Sequence, residues 1–201
     1  MPRYGMIIDL KKCIGCMACT IACKVENGTR PGIFWTMVKD QEFGTFPNVK
    51  RVFVPVQCFH CADPPCVKVC PTEASFQRAD GIVAIDYDKC IGCRYCVEAC
   101  PYGARYFNEH PEGYFGTDLT LNEQVVYEEH RIGVTEKCTF CLHRIQQGKL
   151  PACVQTCIGQ ARIFGDLEDP GSEISLIVKS KPVSQLKKEL KTNPSIYYLS
   201  P

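Results

Sequence analysis

Four cysteines within eleven residues, "CIGCMACTIAC" from Cys13 to Cys23, return at the same spacing as "CIGCRYCVEAC" from Cys90 to Cys100. A fold has to be built around thiols bunched this densely, because few side chains near them are left to form a core. The 201-residue chain carries 16 cysteines, and they fall into four quartets: Cys13, Cys16, Cys19, Cys23; Cys58, Cys61, Cys66, Cys70; Cys90, Cys93, Cys96, Cys100; and Cys138, Cys141, Cys153, Cys157. Every quartet closes as CxxxC. The first and third share one pattern, since "IDLKKCIGCMACTIAC" and "IDYDKCIGCRYCVEAC" agree at 10 of 16 positions. The second and fourth share another, a CxxC, a Pro-containing loop and a closing "CVKVC" or "CVQTC". An order of A, B, A′, B′ is a duplication.

The spacing CxxCxxCxxxC suits iron–sulfur chemistry: three close thiolates wrap one cluster and the fourth reaches across to another. Gly15 and Gly92 let the loops curl so that backbone N–H groups approach sulfur. Pro71 and Pro101 each follow the last cysteine of a quartet, as in the ferredoxin run ending "CP". Sixteen thiolates then serve four clusters with none left over. Zinc also takes four thiolates from paired CxxC motifs and is the rival reading. Disulfides fit less well, because neighbouring CxxC sulfurs make strained bridges and the opening "MPRYGMIIDLKKC" shows no apolar h-region or cleavage site, which predicts no export signal. His60 and His143 lie inside quartets and are read as packing or hydrogen-bonding residues. Trp35 and the run "FGTFP" are read as core, and Lys12, Lys89 and Lys137, each just before a first cysteine, as solvated, the alternative being that some offset the clusters' negative charge and raise their potentials.

Composition removes other classes. With 23 basic and 22 acidic side chains the net charge of +1 gives no field for nucleic acid. The longest apolar runs, "RVFVPV", "GIVAI" and "ISLIV", are strand-sized or helix-turn-sized, so no transmembrane segment is predicted. No nucleophile elbow, phosphate-binding glycine loop or Cys/His nucleophile stands outside the quartets, and no catalytic residue is assigned.

The segments between quartets predict an α+β fold of two nested dicluster-ferredoxin-like lobes, with short strands and helices around four iron–sulfur clusters. "PTEASFQRADGIVAID" reads as two short strands about a turn at Ala79 to Gly81. "ARIFGD" after the fourth quartet pairs with "YGMIID" before the first. An outer lobe thus takes residues 1–49 and 132–180, and an inner lobe residues 50–107. "IFWTMVKD" and "RIGVTEK" supply strands to the outer lobe, "KRVFVPV" and "ARYF" to the inner. Residues 108–131 read as a surface insertion and 181–201 as a docking tail, with a short helical pattern at Ser184 to Lys191 and a Tyr-rich end at Ile196 to Leu199.

The quartets in this order, with "GTFPNV", "CPYGARYF", "KCTFCLHRIQQGKLPACVQTC" and "FGDLEDP", resemble the four-cluster iron–sulfur subunit of molybdenum oxidoreductases related to dimethyl sulfoxide reductase, nearest the polysulfide, thiosulfate and arsenate reductases. The resemblance implies an electron-transfer subunit, not an enzyme by itself, that links a molybdopterin-guanine-dinucleotide catalytic subunit to a membrane subunit exchanging electrons with quinol. It implies four [4Fe-4S] clusters with crossed ligands: Cys13, Cys16, Cys19 and Cys157; Cys23, Cys138, Cys141 and Cys153; Cys58, Cys61, Cys66 and Cys100; Cys70, Cys90, Cys93 and Cys96. The outer lobe would face the molybdenum subunit and the inner lobe the membrane. It also implies a peripheral place on the cytoplasmic membrane, on the outer face by co-export with the catalytic partner or else on the cytoplasmic face. A freely diffusing multi-cluster ferredoxin is the alternative, and a zinc-binding interaction module a further one.

Overall fold

The computed structural model describes residues 1–200, and its elements are short because the cysteine loops punctuate them. In chain order they are β1 (Tyr4–Asp9), α1 (Ala18–Asn27), β2 (Thr36–Thr45), β3 (Asn48–Gln57), α2 (Pro65–Lys68), β4 (Ser75–Gln77), β5 (Val83–Ile85), α3 (Tyr95–Glu98), β6 (Tyr106–Phe107), α4 (Leu121–Val126), β7 (Thr135–Glu136), α5 (Leu142–Ile145), α6 (Ala152–Gln155), β8 (Arg162–Asp166), α7 (Glu173–Ser180), β9 (Val183–Ser184) and β10 (Ile196–Leu199). The third cysteine of each quartet lies in a helix: Cys19 in α1, Cys66 in α2, Cys96 in α3 and Cys153 in α6. Prolines set two of these starts, with Pro65 inside the first turn of α2 and Pro151 capping α6, where a missing N–H leaves nothing unpaired. Duplication extends to backbone detail. Met17 and Arg94, each just after the second cysteine of its quartet, take the same left-handed conformation (φ 59° and 62°) before α1 and α3.

The principal sheet has the order β8-β1-β10-β9. "ARIFGD" pairs antiparallel with "YGMIID" as the sequence predicts, from Tyr4 opposite Asp166 to Ile8 opposite Arg162. Side chains alternate across a strand, and β1 uses both faces. Ile7 packs with Ile174 and Ile177 of α7, while Met6 and Ile8 face the main core with Trp35, Phe59 and Phe140. The predicted hairpin about Ala79 to Gly81 is also present, with Ser75 opposite Ile85 and Gln77 opposite Val83.

Several expectations fail, each for a physical reason. "IFWTMVKD" and "KRVFVPV", given to different lobes, instead pair with each other along all ten residues of β2 and β3, because a two-residue turn at Phe46 and Pro47 joins them directly. "ARYF" and "RIGVTEK" likewise meet as β6 and β7, so two hairpins stitch the quartet pairs together. "FGTFP" is not core: it forms the far end of the β2–β3 ribbon, with Phe46 92% exposed. Lys137 is not solvated but fully buried, its ammonium donating to the carbonyls of Val83 and Cys138, whereas Lys12 and Lys89 are exposed. Ser184 to Lys191 holds only a single 3-10 turn, Lys188–Leu190; the helix of this region is α7, formed by the "ISLIV" run that reads as a strand or a helical turn.

The Tyr-rich tail is docked, but on this chain. β10 runs parallel to β1, inside the sheet, with Ile196 and Tyr198 buried. The Tyr198 hydroxyl donates to the Pro55 carbonyl at 2.8 Å, and the Ser195 hydroxyl to that of His60 at 2.8 Å, so the tail clamps the second quartet. Residues 108–131 are ordered as well. Thr120 and Glu123 form a reciprocal capping box on α4, and the segment lies on the C-terminal end of α1, where His130 Nε2 sits 2.6 Å from the Asn27 carbonyl oxygen and the Arg30 guanidinium covers the Tyr127 ring. Among the described residues no helix is long and apolar enough to cross a membrane.

Candidate metal centres

No disulfide joins any of the sixteen cysteines, and the fold gathers them from distant parts of the chain. Cys13, Cys16, Cys19 and Cys157 line one cavity together with Ile14, Met17 and Arg162. Cys70, Cys90, Cys93 and Cys96 line a second, with Thr72, Ser75 and Arg94. In both, three cysteines of one quartet meet one of another. Cys16 and Cys93, the second cysteines of the repeated motif, are exposed, so each of these two sites approaches the protein surface.

Of the other eight cysteines all but the half-buried Cys100 are buried, and the charges that act on each thiol mark which are neighbours. Burial pushes the Cys23 thiol far up, and the charges of Cys153 and Cys141 push it further. Cys138 is raised by burial and then by Cys23, Cys153 and Cys141. The Asn27 amide bridges this set, Nδ2 standing 3.5 Å from Cys23 Sγ and 3.7 Å from Cys141 Sγ. Cys61 is pushed up to about 12 by burial and by Cys58, with Cys66 and Cys100 adding to it. Sulfurs grouped in this way suit a polynuclear cation, which displaces the thiol protons on binding and so depends on nearby donors to stabilise the thiolates. Backbone donors are in place for the charge that results: Ser75 N–H to Cys70 at 3.4 Å, Ala104 N–H to Cys100 at 3.5 Å and Ala161 N–H to Cys157 at 3.2 Å.

Two buried guanidiniums also face the sulfurs. Arg162 Nη2 is 3.5 Å from Cys19 Sγ and Nη1 is 3.9 Å from Cys153 Sγ. Arg105 Nη2 is 3.1 Å from Cys66 Sγ, and Nη1 donates to Ser75 Oγ at 2.7 Å. Burial alone would lower the pKa of Arg105, but the thiolates of Cys66, Cys96 and Cys58 outweigh it and hold the charge. Neither arginine is among the residues that the motifs single out. A signal exists all the same, since each stands five residues after the last cysteine of its quartet, in "CPYGAR" and "CIGQAR".

His60 and His143 sit where packing and hydrogen-bonding residues belong. His143 Nε2 pairs with Glu26 at 2.8 Å. His60 is fully buried, accepts the Val83 N–H at Nδ1 and stacks on Phe140 at 3.9 Å between ring centroids. His60 and Phe140 are equivalent positions, each just before the second cysteine of a CxxC and each left-handed (φ 42° and 56°). Their stack is where the second and fourth quartets meet, and there the Cys58 charge also reaches Cys138. These contacts link the cysteine groups in series. Arg162 touches the first two, the His60–Phe140 contact joins the second to the third, and Arg105 touches the third and faces the fourth.

Sulfur is the only donor type that all four groups share, and among the described residues no three Cys, His, Asp or Glu side chains converge as closely as one bound ion requires. Sulfurs facing one another across a cavity fit a group of several atoms, and the residues present fit an iron–sulfur cluster. The loops depend on glycine for this shape. Gly92 has φ +69°, and a Cβ there would lie 2.3 Å from the Gly133 carbonyl oxygen; at Gly15, with φ +70°, it would strike the Phe53 ring at 2.6 Å. Gly92→Ala is expected to destabilise the loaded protein by about 1–3 kcal/mol through the left-handed backbone alone, and a backbone oxygen cannot swing aside as a side chain does. A denaturant midpoint unchanged from wild type would contradict this.

Comparison with known proteins gives two matches to 4Fe-4S dicluster domains, one over residues 49–115 and 120–167 and another over residues 12–74. A selenate reductase subunit of Mesobacillus selenatarsenatis is 48% identical over 98% of this chain and 72% of its own length. A tetrathionate reductase subunit of Salmonella typhimurium is 44% identical over 98% of this chain and 72% of its own. The arsenate respiratory reductase iron–sulfur subunit of a Shewanella species is 41% identical over 98% of this chain and 96% of its own.

Proposed function

The chain belongs to the 4Fe-4S dicluster family of reductase iron–sulfur subunits, and from that premise we propose that it passes electrons between a membrane subunit that exchanges them with quinol and a catalytic subunit holding molybdopterin guanine dinucleotide. It is an electron-transfer subunit with four [4Fe-4S] clusters, and substrate chemistry belongs to another chain of the complex. Selenate, tetrathionate and arsenate are the substrates named for its relatives, and an oxyanion or sulfur-compound reductase of that kind is the complex proposed here, peripheral to the membrane and on its outer face.

The observation that supports the reading is that in two separate cavities three cysteines of one quartet meet one of another, Cys13, Cys16 and Cys19 with Cys157, and Cys90, Cys93 and Cys96 with Cys70. We assign the first cluster to Cys13, Cys16, Cys19 and Cys157, the second to Cys23, Cys138, Cys141 and Cys153, the third to Cys58, Cys61, Cys66 and Cys100, and the fourth to Cys70, Cys90, Cys93 and Cys96. The first two make up the outer lobe and the last two the inner lobe. Bound there, the clusters supply one-electron transfer over a wide range of potentials. The protein's part is to hold them in a row, to exclude water from the middle two through Phe59, Phe140 and the tail, and to leave Cys16 and Cys93 at the surface.

Protein purified anaerobically is expected to hold about sixteen irons and sixteen sulfides per chain, four of each per cluster, with no stoichiometric zinc and a visible absorption bleached by dithionite. About eight irons in fully loaded material would remove two of the groups. Co-expression should make the chain elute with its catalytic partner. Ile196 and Tyr198 of the tail are buried in the chain's own sheet, and a chain that elutes by itself would favour the free carrier.

A further inference from the structure

Arg105 and Arg162 are buried cations without a carboxylate. Arg162 is 4% exposed, and its hydrogen-bond partners are the Thr36 hydroxyl and the Gln57 amide oxygen, both at 3.0 Å, Met6 Sδ, and the sulfurs of Cys19 and Cys153. Arg105 is 3% exposed and bonds the Ser75 hydroxyl and Cys66. Neither takes part in a salt bridge with Asp or Glu among the described residues. A buried charge left unpaired is costly, so the sulfurs must supply the countercharge.

The placement is duplicated and in both cases spans two groups. Arg162 lines the cavity of Cys13, Cys16, Cys19 and Cys157 while also reaching Cys153 of the neighbouring group. Arg105 bonds Cys66 of one group and, through its other nitrogen, Ser75, which lines the cavity of Cys70, Cys90, Cys93 and Cys96. We propose that each arginine is a positioning residue shared by the two clusters of its pair, a fixed positive charge between them that raises both reduction potentials together. This rests on the cluster assignment above. The physical basis is that a nearby cation and hydrogen bonds to sulfur favour the state carrying the extra electron, and a hydroxyl that orients the guanidinium keeps the fork aimed at sulfur.

The test uses the full chain, purified anaerobically with its clusters, as Arg162→Gln, Arg162→Lys, Arg105→Gln and Arg105→Lys. Iron and sulfide content and the number of paramagnetic centres are read first, then each midpoint by redox titration followed by electron paramagnetic resonance. In Arg162→Gln two midpoints should fall, lowering their reduced-to-oxidised ratio at a fixed ambient potential on the order of tenfold, the scale of one lost charge-assisted hydrogen bond. The other two should stay. Arg105→Gln should move the complementary pair, and the Lys variants should return both midpoints toward wild type. Four loaded clusters with one midpoint moved, none moved or all four moved alike would overturn the inference alone, as would Lys variants that behave like Gln. If the Gln variants do not load, Thr36→Val and Ser75→Ala release the guanidiniums instead, and the same pairs should fall by less; unmoved midpoints there overturn the proposal. A wild-type chain without iron would instead remove the cluster reading beneath it.

Discussion

Cys157→Ala is expected to loosen the beginning of the chain more than the end. Three of the cysteines around that cavity, Cys13, Cys16 and Cys19, come from seven consecutive residues, and Cys157 is the one that ties them to the C-terminal half. Whether the remaining three retain a partial cluster or lose it, that tie is cut. Metal binding to sequence-distant ligands supplies folding free energy, so the effect should be local to the loop between β1 and α1. β1 itself stays paired with β8 and β10, and its own protection therefore says little. The informative site is Lys11–Lys12, exposed but held through backbone contacts of Asp9, Lys12 and Cys13. Tryptic cleavage there should accelerate on the order of tenfold, the consequence of losing about 1.4 kcal/mol of local closure, while cleavage after Lys149 changes little. Iron content should drop by between about one and four atoms per chain, according to whether a three-iron core persists. Unchanged cleavage at Lys12 together with full iron would show that Cys157 closes nothing at this end and would undo the crossed pairing.

What the sequence made legible was set by local chemistry. The quartets, their glycines and the β4–β5 hairpin carry their information within a few residues, and the β1–β8 pairing, though it joins the two ends of the chain, followed from the same strand pattern standing beside the first and fourth quartets. The lobe boundary at 49/50 fell inside β3, because "IFWTMVKD" and "KRVFVPV" each look like a complete strand and nothing local says that the turn at Phe46–Pro47 joins them to each other rather than parting two lobes. The tail's fate was hidden for the opposite reason. An apolar end signals docking but not its partner, and β1, flanked by β8, still had one open edge for β10 to fill. Lys137 precedes a cysteine just as Lys12 and Lys89 do; only the fold decides that its ammonium meets the Val83 carbonyl rather than water. The arginines and the His60–Phe140 stack belong to this class as well, since they matter through what they reach across the duplication.

Which end of the proposed relay meets the membrane subunit is tested at Cys93. Its group and that of Cys16 are the two ends of the proposed relay, and both expose a sulfur, so geometry alone leaves the two ends interchangeable. The reading that the inner lobe meets the membrane subunit makes Cys70, Cys90, Cys93 and Cys96 the group nearest quinol. In Cys93→Ser the buried Cys96 and half-buried Cys70 and Cys90 remain, enough to retain a three-iron core, and the neighbouring α3 keeps its packing on α2. Folding should survive while the potential of that one site changes. Quinol-driven turnover of the assembled complex is then expected to fall at least about tenfold, a rise of roughly 1.4 kcal/mol or more in the limiting barrier, whereas turnover with a small dye that donates at the catalytic side should stay within about twofold. Loss of dye activity with quinol activity kept would put this group at the molybdenum end and reverse the polarity. Equal loss of both, in a complex that still assembles, would place it on the path that dye and quinol electrons share and would likewise end its assignment as the quinol-side site.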